Sequence, residues 1–296
     1  MEAVFSAIEK ICPSKRGADM KKYTSFKIGG PADLLAEPEN TAQLRAVLEA
    51  CKAVPHLVIG NGTNLLVGDG GYRGVIIRMG SRFSSIRAEG NRIYADAGAS
   101  LGAVSRMAME KGLCGMAPLS GIPATCGGAV IMNAGAYGGE MADVIESVRF
   151  VTPDGEEGES FDHGFSYRHS VYMGKDMIIT DVVFKLWAGE SDAIRREMEE
   201  LSVKRREKQP LTLPSAGSAF KRPKDGFAAK MIDEAGLRGF SIGGAAVSEK
   251  HAGFVVNTGN ATAKDVRRLL LAVQEKVRET HGVLLEPEIQ FVGEFT

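Results

Sequence analysis

An α+β fold of two small lobes followed by a third α+β region is what the sequence predicts, on three observations. Residues 112–139, GLCGMAPLSGIPATCGGAVIMNAGAYGG, hold eight glycines and no charged side chain. Such a run is no solvated linker, and glycine interrupts it too often for one helix. Glycine allows positive φ and close backbone approach, so its amides can donate to an extended anionic molecule. A tightly packed loop between strands is the competing reading. A second glycine loop, IGNGTNLLVGDGGYRG at 59–74, favours the ligand. It follows a helix candidate at 41–53, with Leu44, Val47, Leu48 and Cys51 on one stripe, and the apolar run His56-Leu57-Val58-Ile59. Neither nucleotide fingerprint fits. Leu65 stands where a Rossmann third glycine belongs, and no GxxxxGK[ST] occurs. Two glycine loops without either fingerprint suggest a dinucleotide held between two small lobes.

The elements follow in order. Residues 1–20 form a helical lead-in, with Val4, Ala7, Ile8 and Ile11 on one stripe. Residues 21–188 make the two lobes, about 21–80 and 81–188. Ile93 to Ala97 and Met177 to Phe184 read as strands in the second. Residues 189–209 form a connecting helix, SDAIRREMEELSVKRREKQP in its charged part, whose charge run is mostly a solvated face and which Pro210 and Pro214 end. The last domain, 210–296, reads helix 226–236, strands to 253–257, helix 262–281 and strand 284–292. In its long helix Val266, Leu269, Leu270, Val273 and Val277 keep a 3.6-residue stripe, Thr262 with Asp265 suggests a cap, and Gly282 ends it. These residues are core.

Composition excludes several classes. The 296 residues are 44% hydrophobic and 25% charged, enough for two or three domains. A net charge of −1 offers no surface for nucleic acid or membrane. The N-terminus, MEAVFSAIEKICPSKRGADMKK, is neither signal peptide nor anchor, and a cytoplasmic protein is expected. Cys12, Cys51, Cys114 and Cys126 show no CxxC spacing, and the five histidines never pair with a carboxylate at ligand spacing, so no metal site is expected.

Eight ordered segments carry a family likeness: YTSFKIGGPAD (23–33), IGNGTNLLV (59–67), GIPATCGG (121–128), NAGAYGGE (133–140), SYRHS (166–170), PSAGSAFKRP (214–223), HAGFVVN (251–257) and LEPEIQ (285–290). Together they resemble the UDP-N-acetylenolpyruvoylglucosamine reductase (MurB) family, from about residue 20 onward. The resemblance implies an FAD-binding fold of the vanillyl-alcohol oxidase (PCMH) type over 21–188 and a substrate-binding domain over 210–296. It also implies non-covalent FAD, NADPH as hydride donor, a UDP-sugar enolpyruvyl ether as substrate, a role in peptidoglycan precursor synthesis, and a monomer.

The reaction so implied delivers hydride to the terminal alkene carbon and a proton to the carbon bearing the carboxylate. Negative charge then builds beside an existing carboxylate, which calls for cationic or hydrogen-bond-donating groups and one positioned acid. By resemblance Arg168 clamps the carboxylate, as a permanently charged planar guanidinium can. Ser218 is the implied proton donor, a weak acid matched to a very basic intermediate. The segment around it is no GxSxG elbow. Glu288 stands beside the intermediate on the expected strand, and is expected to donate a hydrogen bond when protonated or to share charge with Arg168. Glu286 reads as a solvated residue. Tyr137, Lys208 and Arg222 match positions near the substrate diphosphate. For FAD, the backbone of Gly60, Asn61, Gly62, Thr63, Asn64 and Leu65 would face the pyrophosphate, and Gly121, Ile122, Pro123, Thr125 and Gly128 would wrap the adenosine and flavin side. Tyr167 would pack near the flavin, and Asn61, Thr63, Asn64 and Thr125 would add side-chain hydrogen bonds.

Three departures from the family pattern stand out. Ala124 replaces the glycine of GIPG, tolerable if its φ is negative, and Ala117 stands where glutamate is common. All six tyrosines precede residue 173, so the chain resembles the shorter branch without an inserted tyrosine loop. Cys126 reads as a small packed residue, not a flavin attachment. The rival readings are an oxygen-using flavin oxidase on the same fold and a non-catalytic nucleotide-binding module.

Overall fold

The computed structural model describes residues 1–175 and 177–295. The chain divides into two compact units: Met1–Lys15, Leu34–Asn61 and Gly74–Arg205 form the first, and Arg16–Asp33, Gly62–Arg73 and Arg206–Thr296 the second.

A five-stranded antiparallel sheet organises the first unit, in the order Glu157–Ser160, Ile145–Val151, Ile178–Lys185, Arg92–Asp96, Ile86–Glu89. The central strand Ile178–Lys185 is buried at Val182 and Phe184, as a strand paired on both edges requires. Its register on Arg92–Asp96 runs from Asp181 opposite Asp96 to Lys185 opposite Arg92. The two strands read from the sequence are therefore neighbours. His56–Ile59 pairs in parallel with the strand Tyr72–Arg78, His56 opposite Val75. The helix Thr41–Cys51 forms as its apolar stripe predicts: Leu44, Val47, Leu48 and Cys51 are all buried, and the Asn40 side chain caps its first turn by accepting from the Gln43 amide. The N-terminal helix spans Glu2–Ile8 only, leaving Ile11 beyond it.

The second unit sets the helix Ala263–His281 against a four-stranded antiparallel sheet ordered Ser215–Ser218, Phe254–Asn257, Ala245–Val247, Ser241–Ile242. The helix buries Val266, Leu269, Leu270, Val273 and Val277, each contributing about 1.5–3 kcal/mol by leaving water. Thr262 and Asp265 form the reciprocal capping box, and Gly282 closes the helix at φ +68. A further cap is long-range: the Asp69 carboxylate accepts the amides of Ala263 at 2.8 Å and Lys264 at 2.9 Å. Asp69 of the upstream glycine loop thus serves the helix start.

The expected strand 284–292 is shorter than predicted. Only Gln290–Val292 forms a strand, in parallel with Leu65–Val67. Pro287 has no amide to contribute to a ladder. The residues around it are tied elsewhere, Lys221 N donating to Glu286 O and Glu288 N to Ala219 O, both at 2.9 Å. The helix expected at 226–236 spans Ala228–Glu234, with Gly226 at φ +123 ahead of it.

Candidate active site

In the first unit the two glycine loops meet. Gly60 follows the strand His56–Ile59 and lies so close to Thr125 that a Cβ on it would fall 2.2 Å from Thr125 Oγ1. The Asn61 side-chain amide donates to the Pro123 carbonyl at 3.2 Å. Gly121 and Pro123 are exposed beside them. Thr125 is buried, and its Oγ1 accepts from the Gly128 amide that opens the short helix Cys126–Ile131. Farther along, backbone needs are met internally: Cys126 N donates to Ala99 O and Gly127 N to Ala97 O, both at 2.8 Å. Exposed backbone therefore belongs to the 121–123 segment, next to Asn61. Ala124 is not among the residues with positive φ, so its methyl is accommodated. Cys126 is fully buried and burial pushes its thiol far up, as a packed residue requires. With no charged side chain from Gly112 to Gly139, this surface fits an extended anionic cofactor.

A second constellation of the same unit is built on strained backbone. Tyr137 and Gly138, at φ +52 and +86, form the two-residue turn between Gly135–Ala136 and Gly139–Glu140, where both central residues need positive φ. Tyr167 and Arg168 occupy a second tight turn, closed by reciprocal 3.1 Å bonds between Ser166 and His169. Arg168 has φ +55, unusual for a side chain of its size. The two turns are tied together: Arg168 Nη2 donates to Gly135 O at 3.2 Å, and the buried Asn133 donates to Ser166 O at 3.1 Å while accepting the Ala142 amide at 3.0 Å. The Arg168 guanidinium also lies 5.0 Å from the centre of the half-exposed Tyr167 ring. Strain held in this way marks a preorganised site. Asn133, itself at φ +39, went unnoticed as a support because its partners lie on other segments.

In the second unit Ser218 and Glu288 are neighbours through the backbone. Ser218 ends the strand Ser215–Ser218 opposite Phe254 and is exposed. The Ala219 carbonyl accepts the Glu288 amide, and Phe220 bridges Pro287. Glu288 is itself buried, at 9% exposure, in contrast to Glu286, whose exposed carboxylate pairs with Lys221. Asn64, expected to contact the cofactor, also ties this segment: its side-chain amide donates to the Glu288 carbonyl at 3.1 Å. The expected strand placement of Glu288 gives way to a segment held by Ala219 and Asn64.

The remaining candidates are placed less tightly. Gly62 belongs to the second unit, at φ +61, where an added Cβ would meet the Tyr23 carbonyl. Thr63 is half-buried, and Leu65 begins the strand paired to Gln290. Lys208 is exposed at the end of the helix Ser191–Lys208, and Arg222 stacks 4.3 Å from the Phe227 ring centre. Arg168, Tyr137, Tyr167, Gly60, Asn61 and the 121–128 segment lie in one unit, while Ser218, Glu288, Lys208, Arg222 and residues 62–65 lie in the other. Among the described residues no group of His, Cys, Asp and Glu could hold a metal, and no helix is long and apolar enough to cross a membrane.

Comparison with known proteins matches two regions of the chain. A family model for an FAD binding domain matches residues 32–159, and one for the UDP-N-acetylenolpyruvoylglucosamine reductase C-terminal domain matches residues 209–292. The chain is 47% identical over 283 residues to the UDP-N-acetylenolpyruvoylglucosamine reductase of Caldanaerobacter subterraneus subsp. tengcongensis, covering 93% of this chain and 92% of the relative. It is 49% identical over 294 residues to that of Agathobacter rectalis, covering 93% of each. The crystal structure of the Thermus caldophilus reductase (MurB) superposes with a TM-score of 0.82 at 36% identity, over 95% of this chain and 98% of that one. The chain belongs to the UDP-N-acetylenolpyruvoylglucosamine reductase family and is an FAD-dependent oxidoreductase.

Proposed function

We propose that the protein reduces the enolpyruvyl ether of UDP-N-acetylglucosamine-enolpyruvate to UDP-N-acetylmuramate for peptidoglycan synthesis, with NADPH as the hydride source. The observation that carries this reading is the backbone coupling of the segments that bear Ser218 and Glu288: the Glu288 amide donates to the carbonyl of Ala219, next to the exposed Ser218, and Glu288 is buried. Bound FAD supplies the hydride. Arg168, rigidly supported by Gly135 and Tyr167, is suited to grip the substrate carboxylate and hold charge building next to it. Ser218 gives its proton to the carbon bearing that carboxylate, a transfer its weak acidity permits because the intermediate is strongly basic. Glu288 completes the polar groups about that carbon, while Tyr137, Lys208 and Arg222 address the diphosphate. The proposed enzyme is a cytoplasmic monomer acting on a nucleotide sugar.

The test is a two-step mixing experiment on the purified yellow protein. Anaerobic NADPH should bleach the flavin, and the enolpyruvyl sugar should restore its colour far faster than air does. Faster recovery with oxygen, with no response to the sugar, would transfer the protein to the oxidases.

A further inference from the structure

The strand Ser215–Ser218 carries one residue more than its partner. Ser215 lies opposite Val256 and Ser218 opposite Phe254, so Ala216 and Gly217 together face the single residue Val255. Two residues against one make a β-bulge. The chain is fixed on both sides of it: the Asn257 amide donates to the Pro214 carbonyl at 2.9 Å, the Ser25 hydroxyl to the Ser215 carbonyl at 2.6 Å, and the Ala219 amide to the Gly253 carbonyl at 2.8 Å. The extra residue is held between these anchors. Side chains alternate along an unbroken strand, so Ala216 and Ser218 would share a face there. Instead Ala216 and Ala219, three residues apart, both pack into the core of the second unit, and Ser218 is exposed. A slip of one residue moves a side chain to the opposite face, so without the bulge Ser218 would turn toward that core.

The bulge depends on Gly217. Its φ is +77, a conformation that strains any residue with a Cβ. Crowding is not the reason for glycine here: among the described residues, and apart from its chain neighbours, no atom comes within 4 Å of a Cβ built on it. The requirement is one of backbone conformation. We propose that Gly217 is a positioning residue for the reaction, whose left-handed backbone makes the bulge that turns the Ser218 hydroxyl out of the core. The proposal rests on the reading of Ser218 as proton donor. The same bulge sets where pairing resumes, and with it the Ala219 carbonyl that accepts the Glu288 amide at 2.9 Å. One glycine thus fixes the face on which the hydroxyl stands and the register of the segment that bears the carboxylate.

The experiment compares FAD-loaded wild type with Gly217→Val and Gly217→Asn by stopped flow, each alone and combined with Ser218→Ala. Valine resists positive φ and favours a straight strand, whereas asparagine tolerates positive φ, as Asn133 does at +39. Gly217→Val should keep FAD and its reduction by NADPH while slowing reoxidation by the enolpyruvyl sugar about 100-fold, the scale of a misplaced catalytic group. Gly217→Asn should stay within a few-fold of wild type. In the Ser218→Ala background Gly217→Val should add no further slowing, because the hydroxyl it misplaces is already gone. Equal slowing in the valine and asparagine variants would show that the space over Gly217 matters and not its φ, and would overturn the proposal. So would loss of FAD or of NADPH reduction in Gly217→Val, or its full effect persisting without the hydroxyl. Should the valine variant fail to fold, Gly217→Ala decides on the same criteria. A wild-type rate in Gly217→Val beside a slow Ser218→Ala overturns the proposal alone; a wild-type rate in Ser218→Ala removes the donor assignment beneath it as well.

Discussion

Asn64 and Glu288, 224 residues apart in the chain, are joined by the Asn64 side-chain amide donating to the Glu288 carbonyl at 3.1 Å, and the Asn64 backbone carbonyl accepts the amide of Gln290, two residues on, at 2.9 Å. The buried carboxylate therefore stands on backbone fixed from a glycine loop. Asn64→Leu keeps most of the volume and removes one donor from the Glu288 carbonyl, which also accepts the Gln290 side-chain amide at 3.2 Å, at a cost of about 0.5–1.5 kcal/mol. A urea midpoint should fall accordingly, with turnover reduced more than FAD affinity. An unchanged midpoint would show that Asn64 does not support Glu288.

Ser218→Ala should leave FAD binding and reduction by NADPH intact while slowing flavin reoxidation by the enolpyruvyl sugar by about 10²–10⁴, the range of a positioned general acid. Stopped-flow traces of the two half-reactions separate the cases. Equal slowing of both would make Ser218 a positioning residue; no slowing would assign the proton to another group.

Arg168→Lys retains the charge but loses the planar two-point contact and the arm that reaches Gly135 O. Reduction by NADPH should persist, with kcat/KM for the enolpyruvyl sugar down about 10- to 100-fold, as for loss of a charged hydrogen bond. Wild-type kcat/KM in this variant would take Arg168 out of the substrate clamp.

At Gly60 there is no room for a side chain beside Thr125 Oγ1. Gly60→Ala must push apart the two loops that the Asn61–Pro123 hydrogen bond joins. The wild-type protein should purify yellow with FAD that acid precipitation releases, and the variant should lose FAD on gel filtration. A variant that stays yellow would mean the cofactor does not need this approach.

His163 and His251 set the acid side of stability. Burial lowers both pKa values, more than the opposing Glu146 backbone and Asp162 influences on His163, while Arg238 lowers His251 further. The folded protein keeps them neutral where the unfolded chain takes a proton near pH 6.5. Stability is therefore full above that pH and lost below it as the pH falls toward the folded values, at most about 1.4 kcal/mol per pH unit for each histidine. Urea midpoints should drop between pH 7.5 and 5, and less steeply in His163→Gln. The same slope in that variant would free His163 of the effect.

How much of this was legible in the sequence depends on the range of the interaction. Periodicity alone determined the helices Thr41–Cys51 and Ala263–His281 and the central strand Ile178–Lys185, because apolar spacing of 3.6 or 2 residues is a local property. The caps at Thr262 and Gly282 were local as well, and the density of glycine in the two loops marked backbone able to approach a ligand closely. Ordered motifs carried Arg168, Ser218 and Glu288. Only tertiary structure decided that Asp69 caps a helix 194 residues away and that Asn64 holds the Glu288 backbone. It also decided that Arg168 sits at positive φ, held by Asn133 and Gly135. Each of these is a choice of partner for a hydrogen-bonding group. Many distant groups could satisfy such a donor or acceptor equally well, and chain folding alone selects which one is within 3 Å.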